Sequence, residues 1–231
     1  MALPKIKHPT FKVTIPSLKQ EVTLRPFTVQ EEKILLMAKS SEKTEDIVSA
    51  VKQVIQNCIT EPVDVDRLAT FDIEYLFIKL RAKSVGEIVD LEYTDPDTKE
   101  LIKFKINLDD IEVKHNPEHT NKLPVFDDVG IVMRYPTLEE IEKVESDQNR
   151  EEAAFKMLLS CIDKIYDNNT VYTDYNEKEL ADFVNTLPME SMNKVREFFE
   201  TMPSVEHEVE LKNKKGTTKN ITLKGITSFF T

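Results

Sequence analysis

Glycine is scarce in this chain: four in 231 residues, at Gly86, Gly130, Gly216 and Gly225, with no two close together. A backbone cradle for phosphate needs clustered glycines, so P-loop and dinucleotide-binding readings are excluded. Lys215-Gly-Thr217 is no exception, because its lysine precedes the glycine and no second glycine lies upstream. Cysteine is scarcer still. Cys58 and Cys161 are the only two and neither sits in a CxxC, which rules out a disulfide framework. Both fall in apolar runs expected to be helical, so reduced core thiols are the expected state. Long apolar runs are also missing; none approaches the roughly 18 to 20 residues that cross a bilayer. The opening Met1-Ala-Leu-Pro-Lys-Ile-Lys-His8 has no signal-peptide apolar region, so the chain is expected to stay where it is made. The triplets at Asn168 and Asn220 are then chance matches to a glycosylation signal.

Positive charge is in deficit. There are 31 Lys and Arg against 42 Asp and Glu, a formal charge of −11. Binding to nucleic-acid backbone needs basic clusters. The single local cluster, Lys212-Asn-Lys-Lys215, falls in an expected hairpin turn, so no nucleic-acid partner is expected. The acidity favours solubility and a basic protein partner. Catalytic signatures are absent as well. His115 and His119 have Pro117 between them, lack the glutamate of the zinc-protease motif, and read as exposed linker residues. Acidic pairs such as Glu31-Glu32, Glu139-Glu140 and Glu151-Glu152 fit first turns of helices, where carboxylates offset the helix dipole. No G-x-S-x-G occurs. We therefore expect no enzyme, and no catalytic, metal or cofactor-binding residue.

What the chain does carry is a repeat. Arg25-Pro-Phe-Thr-Val-Gln-Glu-Glu32 returns as Arg134-Tyr-Pro-Thr-Leu-Glu-Glu140, one residue shorter. Thr28 to Glu31 and Thr137 to Glu140 both fit a capping box. Short alternating strands precede each copy: Phe11, Val13, Ile15 and Val22, Leu24 in the first, Leu123 to Phe126 and Gly130 to Met133 in the second. Ile34, Leu35, Met37 and Ala38 read as a buried stripe. Ile47, Val51, Val54, Ile55, Cys58 and Ile59 recur at helical spacing, with Phe155, Leu158, Leu159, Ile162 and Ile165 as counterpart. Asp72 can cap a helix bearing Ile73, Leu76, Phe77 and Leu80, with Gly86 as its stop. Hairpins follow at Ile88 to Ile106, turning at Asp95-Pro-Asp-Thr98, and at Val209 to Leu223. Residues 114–122 read as the linker. Further helical stripes, Leu180 to Leu187 and Met192 to Met202, make the second copy longer, so its offset drifts from 109 at Thr28/Thr137 to 103 at Cys58/Cys161.

These patterns predict an α+β fold of two similar helix-plus-hairpin units, 10–115 and 120–231, related by an internal duplication. The aromatic residues Phe229 and Phe230, with Phe71, Tyr75 and Phe77, are the candidate partner contacts; docking onto their own core is the alternative.

Several strings resemble one family closely: Leu3-Pro4, Ile15-Pro-Ser17, Arg25-Pro-Phe27, Glu31 to Ala38, Tyr75-Leu-Phe-Ile-Lys-Leu-Arg-Ala-Lys-Ser-Val-Gly-Glu87 and Gly130-Ile-Val-Met-Arg-Tyr-Pro136. The chain resembles, nearly end to end, the baseplate hub subunits and hub assembly proteins of T-even-like contractile-tailed phages. The resemblance implies a non-enzymatic part in building the central hub, in the host cytoplasm during tail assembly or in the virion, through contacts with hub or tape-measure proteins, as a monomer or an oligomer. Relatives often carry cysteine pairs in such hairpins, as in a zinc ribbon. The equivalent stretches here, Tyr93 to Thr98 and Leu211 to Gly216, have none, so the resemblance implies degenerate, metal-free ribbons. Alternatives are a chaperone for the tape-measure protein, shielding an amphipathic helix, or a small nucleic-acid-binding or host-directed regulator.

Overall fold

Alternation puts Val13 and Ile15 on one face of β1 (Phe11–Ile15), which pairs antiparallel with β2 (Gln20–Leu24). The computed structural model describes residues 6–41, 43–214 and 216–229. After β2 come α1 (Val29–Ser41), α2 (Thr44–Cys58) and α3 (Thr70–Ser84). Next is the hairpin of β3 (Ile88–Thr94) and β4 (Leu101–Asn107), followed by the short β5 (Val113–Lys114). A second run gives β6 (Lys122–Phe126), β7 (Val129–Met133), α4 (Leu138–Ser146), α5 (Arg150–Ser160), β8 (Ile162–Tyr166) and β9 (Val171–Tyr172). It closes with α6 (Glu177–Thr186) and α7 (Met189–Thr201). The last hairpin is β10 (Ser204–Lys212) and β11 (Thr218–Lys224). The fold is mixed α/β, with seven α-helices and small antiparallel sheets among the described residues.

Contacts gather these elements into two compact units. One is drawn from Met1–Lys114 and Ser204–Thr231, the other is His115–Pro203. Compactness thus cuts the chain differently from the repeat in the sequence. The final hairpin adds to the first unit because β10 pairs with β5, Ser204 opposite Lys114 and Val205 opposite Val113. In this first unit α3 is the central element: Phe71, Ile73, Leu76, Phe77, Ile78 and Leu80 are all buried, alongside Ile15, Leu24, Val54, Ile55, Leu108 and Ile111. Burial of that many large side chains, each contributing roughly 1.5–3 kcal/mol, is what offsets the ordering of the chain. Asp72 holds the start of α3, accepting from the Ala69 N–H at 3.1 Å and from the Ser17 N–H at 2.8 Å.

The second unit has a four-stranded sheet in the order β6-β7-β8-β9, with α5, α6 and α7 packed against the strand residues that point into its core. Its core joins Leu123, Val125, Ile131, Met133 and Ile165 of the strands to Leu159, Leu180, Val184, Val195 and Phe198 of the helices.

Three sequence expectations change here. Ile162 and Ile165 lie on β8, because the helix ends at Ser160 and Cys161 closes its last turn. Apolar spacing alone cannot separate a helix from the strand that directly continues it. On α1 only Leu35 and Ala38 of the expected stripe are buried; Met37 is 75% exposed. Within 114–122, Lys114 is in β5, Lys122 opens β6, and His119 is half-buried rather than an exposed linker residue.

Candidate functional site

The repeated motif builds the same clamp twice. In the first, the Arg25 guanidinium spans Glu31, with Nη2 donating to Oε1 at 2.9 Å and Nη1 to Oε2 at 3.3 Å. Glu31 Oε2 also accepts from the Thr28 N–H and hydroxyl at 2.8 and 2.6 Å. The Arg25 N–H donates to the Cys58 carbonyl at 3.0 Å. In the second, Arg134 Nη2 and Nη1 donate to Glu140 Oε1 and Oε2 at 2.6 and 3.0 Å. Thr137 N–H and hydroxyl donate to Glu140 at 2.8 and 3.1 Å, and Arg134 N–H donates to the Cys161 carbonyl at 2.7 Å. One glutamate thereby caps its helix and grips the arginine that follows the preceding strand, and that arginine's own N–H ties it to the end of the cysteine-bearing helix. Burial disfavours charge on Glu31 and Glu140, yet these donors win and hold each carboxylate down to about 2. Burial pushes the Cys58 thiol up to about 11 and that of Cys161 to about 12, so neither is a nucleophile at neutral pH.

In the first unit the two hairpin turns are tied by a polar knot. Asp95, with no exposed surface, accepts from Asn213 Nδ2 at 3.0 Å and Lys219 Nζ at 2.8 Å. The Lys214 N–H donates to Glu100 at 2.9 Å. Hydrogen bonds from Lys219 and Asn213 hold Asp95 well below the usual carboxylate range. Tyr93 to Thr98 and Leu211 to Gly216, the two cysteine-free stretches, are therefore adjacent. Among the described residues no group of three or more His, Cys, Asp or Glu is arranged to hold a metal.

The expected contact residues are placed unevenly. Phe71 and Phe77 are buried in the first unit's core. Tyr75 is partly buried on the same helix, and its hydroxyl donates to Glu112 at 3.1 Å. Phe229 ends a short 3-10 turn, Ile226–Phe229; its side chain and the whole of Phe230 lie outside the described residues. His119 packs in a triangle with Tyr135 and Phe198, at ring distances of 5.6 and 5.1 Å, with its ring nitrogens bonded to Thr201 and Tyr135 hydroxyls. Burial lowers its affinity for a proton, so it is a structural ring of the second unit's core.

Sequence reasoning missed the apolar surface. In the first unit Val29, Leu36, Met37 and Val85 are exposed, and Leu36 and Val85 line a groove with Phe27, Leu35, Phe77, Glu32, Lys39 and Arg81. In the second, Phe126, Val171, Tyr172 and Met189 are exposed. Helical periodicity hid the α1 residues, since an apolar residue on a helix reads as core until the neighbours are known.

Both thiols are thus buried, the two clamp carboxylates are engaged at helix starts, and apolar side chains are exposed in both units. The family model described as T4 bacteriophage base plate protein matches residues 8–231, and the chain belongs to that family. It is a phage baseplate protein. No curated protein and no solved structure matches it. No helix among the described residues is long and apolar enough to cross a membrane.

Proposed function

We propose that this baseplate protein takes part, without catalysis, in assembling the central hub through protein–protein contacts. The observation that carries the reading is family membership over nearly the whole chain, residues 8–231, joined to the hub-like strings around Arg25, Tyr75 and Gly130. The exposed apolar residues of both units supply contact surface. Affinity capture of the tagged chain from infected cells, with mass spectrometry of purified particles, tests it. Hub proteins in the capture support the reading. A fixed copy number in particles makes the chain a hub subunit; absence from particles makes it an assembly factor. Capture of no tail protein at all refutes it.

The units 10–115 and 120–231 are, in this reading, copies of one ancestral module. The support is the matched clamp, Arg25–Glu31–Thr28–Cys58 against Arg134–Glu140–Thr137–Cys161. The knotted hairpin turns are then degenerate zinc-ribbon knuckles, with Asp95, Asn213 and Lys219 in the structural role of the metal. An experimental structure whose two clamps failed to superpose would remove the first support. A second reading, chaperone of the tape-measure protein, draws on the apolar groove at α1, which could shield a helix. Capture of tape-measure protein alone, before tube formation, would favour it.

A further inference from the structure

On the outer face of the second unit's sheet Lys122, Pro124, Lys164 and Val171 are exposed and Val132 and Tyr166 half-buried, and its chemistry is ordered in rows. Register sets Pro124 beside Gly130, Gly130 beside Tyr166, and Tyr166 beside Val171, one residue from each of the four strands. Alternation sends Leu123, Val125, Ile131 and Ile165 to the core and leaves this row outside. Gly130 is needed there because the Tyr166 ring lies across it: a Cβ would meet the ring carbon Cζ at 2.2 Å. Val171 at the end of the row is 61% exposed, and Phe126, further along β6, is 56% exposed.

Charge flanks the row asymmetrically. Asp127 and Asp128 form the β6–β7 turn, and Asp167 begins the β8–β9 turn. The turns are tied together, with Asn168 Nδ2 donating to Asp128 at 2.8 Å. Asp167 is fixed by the Asn169 and Thr170 N–H groups and the Tyr172 hydroxyl, each at 2.8 Å. No ion pair engages these three carboxylates among the described residues. On the next row of the same face stand Lys122 and Lys164, opposite Val132 from either side. The surrounding unit is strongly acidic. His115–Pro203 holds 19 Asp and Glu against 9 Lys and Arg, a net of −10 within the chain's −11.

We infer that this face docks a segment of another tail protein whose apolar side chains cover the Pro124–Tyr166–Val171 row and whose lysines or arginines meet Asp127, Asp128 and Asp167. Lys122 and Lys164 set the polarity of the segment, favouring an acidic residue at its other end. The acidic field of the unit speeds encounter with a basic partner, and the apolar row holds it. The inference rests on the proposed role in tail assembly and names the surface and the partner chemistry for it.

The test uses the full chain and overlapping synthetic peptides tiled across the other tail proteins of the same phage, with solution titration of those that bind. Binders should carry Lys or Arg beside an apolar stretch, and should weaken by about tenfold or more between low and high salt. Val171→Lys should weaken them by about tenfold or more, which is the loss of one anchor contact worth about 1.4 kcal/mol. Asp127→Asn with Asp128→Asn, isosteric and tolerant of the positive φ at residue 127, should weaken binding and flatten its salt dependence. Met189→Lys, also exposed in this unit but off the row, should bind as wild type, and thermal melts confirm that each variant folds. Equal binding by Val171→Lys, binders without basic residues, or no binders at all would overturn the docking face. Failure of the hub reading would show separately, in the capture from infected cells.

Discussion

Glu74 and Glu140 are glutamates moved in opposite directions by their neighbours. Burial pushes Glu74 up to about 7, helped by Glu206 and opposed by Lys224 and the Ile226 N–H. Its proton is held more tightly in the folded chain, so its contribution to stability is full below about pH 4.5 and is lost as pH rises through about 7. Glu31 and Glu140 work the other way: their contribution is present above about pH 4.5 and lost as pH falls toward about 2. Glu74→Gln should therefore flatten the alkaline fall in Tm and stabilise the chain at pH 8 by on the order of 1–3 kcal/mol. Melts of both proteins across pH check this; parallel curves would show that Glu74 is not the group responsible. The thiols give a second expectation at this scale. With Cys58 and Cys161 buried and their pKa values raised, a thiol-disulfide reagent at pH 8 should label neither in the native chain and both after denaturation. Fast native labelling of either would contradict the burial.

At the scale of elements, side-chain caps fix the starts of α4, α5 and α6. Thr137 accepts from the Glu140 N–H while Glu140 accepts from the Thr137 N–H, and Asn176 with Glu179 repeats the exchange at α6. Thr137→Ala should cost about 1 kcal/mol, read as a shift in urea midpoint at constant slope. Both threonine–glutamate pairs could be named from the sequence, because a capping box is local: donor, acceptor and spacing lie within four residues. The arginine's bidentate grip on the same glutamate was not legible, since it depends on how the strand enters the helix. The hairpin knot was less legible still. Asp95 and Lys219 are 124 positions apart, yet they meet at 2.8 Å. Asp95→Ala should speed amide exchange in both turns, 95–100 and 212–218, and Lys219→Ala should do the same. Their double variant should add less than the sum of the two, as groups in one network do. Exchange confined to one turn would show that the knot does not couple the hairpins.

For the whole molecule, the return of the last hairpin to the first unit matters most. Ser204 and Val205 continue the sheet from β5, Leu211 is buried, and Ile226 is buried near Glu74. Ending the chain at Pro203 should uncover the β5 edge and the α3 surface. The expected result is a lower Tm and binding of a hydrophobic dye. A truncated chain that melts like the full one would mean that the first unit is complete without the hairpin. The second unit keeps all its strands in this truncation, so its part of the circular-dichroism signal should survive to a higher temperature than the first unit's.

The sequence by itself determined most of the elements, the two threonine–glutamate pairs at helix starts, the buried thiols, and the absence of any phosphate cradle. Each of these follows from spacing within a turn or two, or from what a residue type cannot do. It also placed Phe77 on a helical face and named Phe71 beside that helix, but left open whether these rings were core or surface. Tertiary structure alone decided that these rings are core while Leu36, Met37 and Val171 are outside. It alone returned the final hairpin to the first unit and set Tyr166 over Gly130. Which face of an amphipathic element is covered depends on residues distant in sequence, and periodicity carries no record of which distant element arrives.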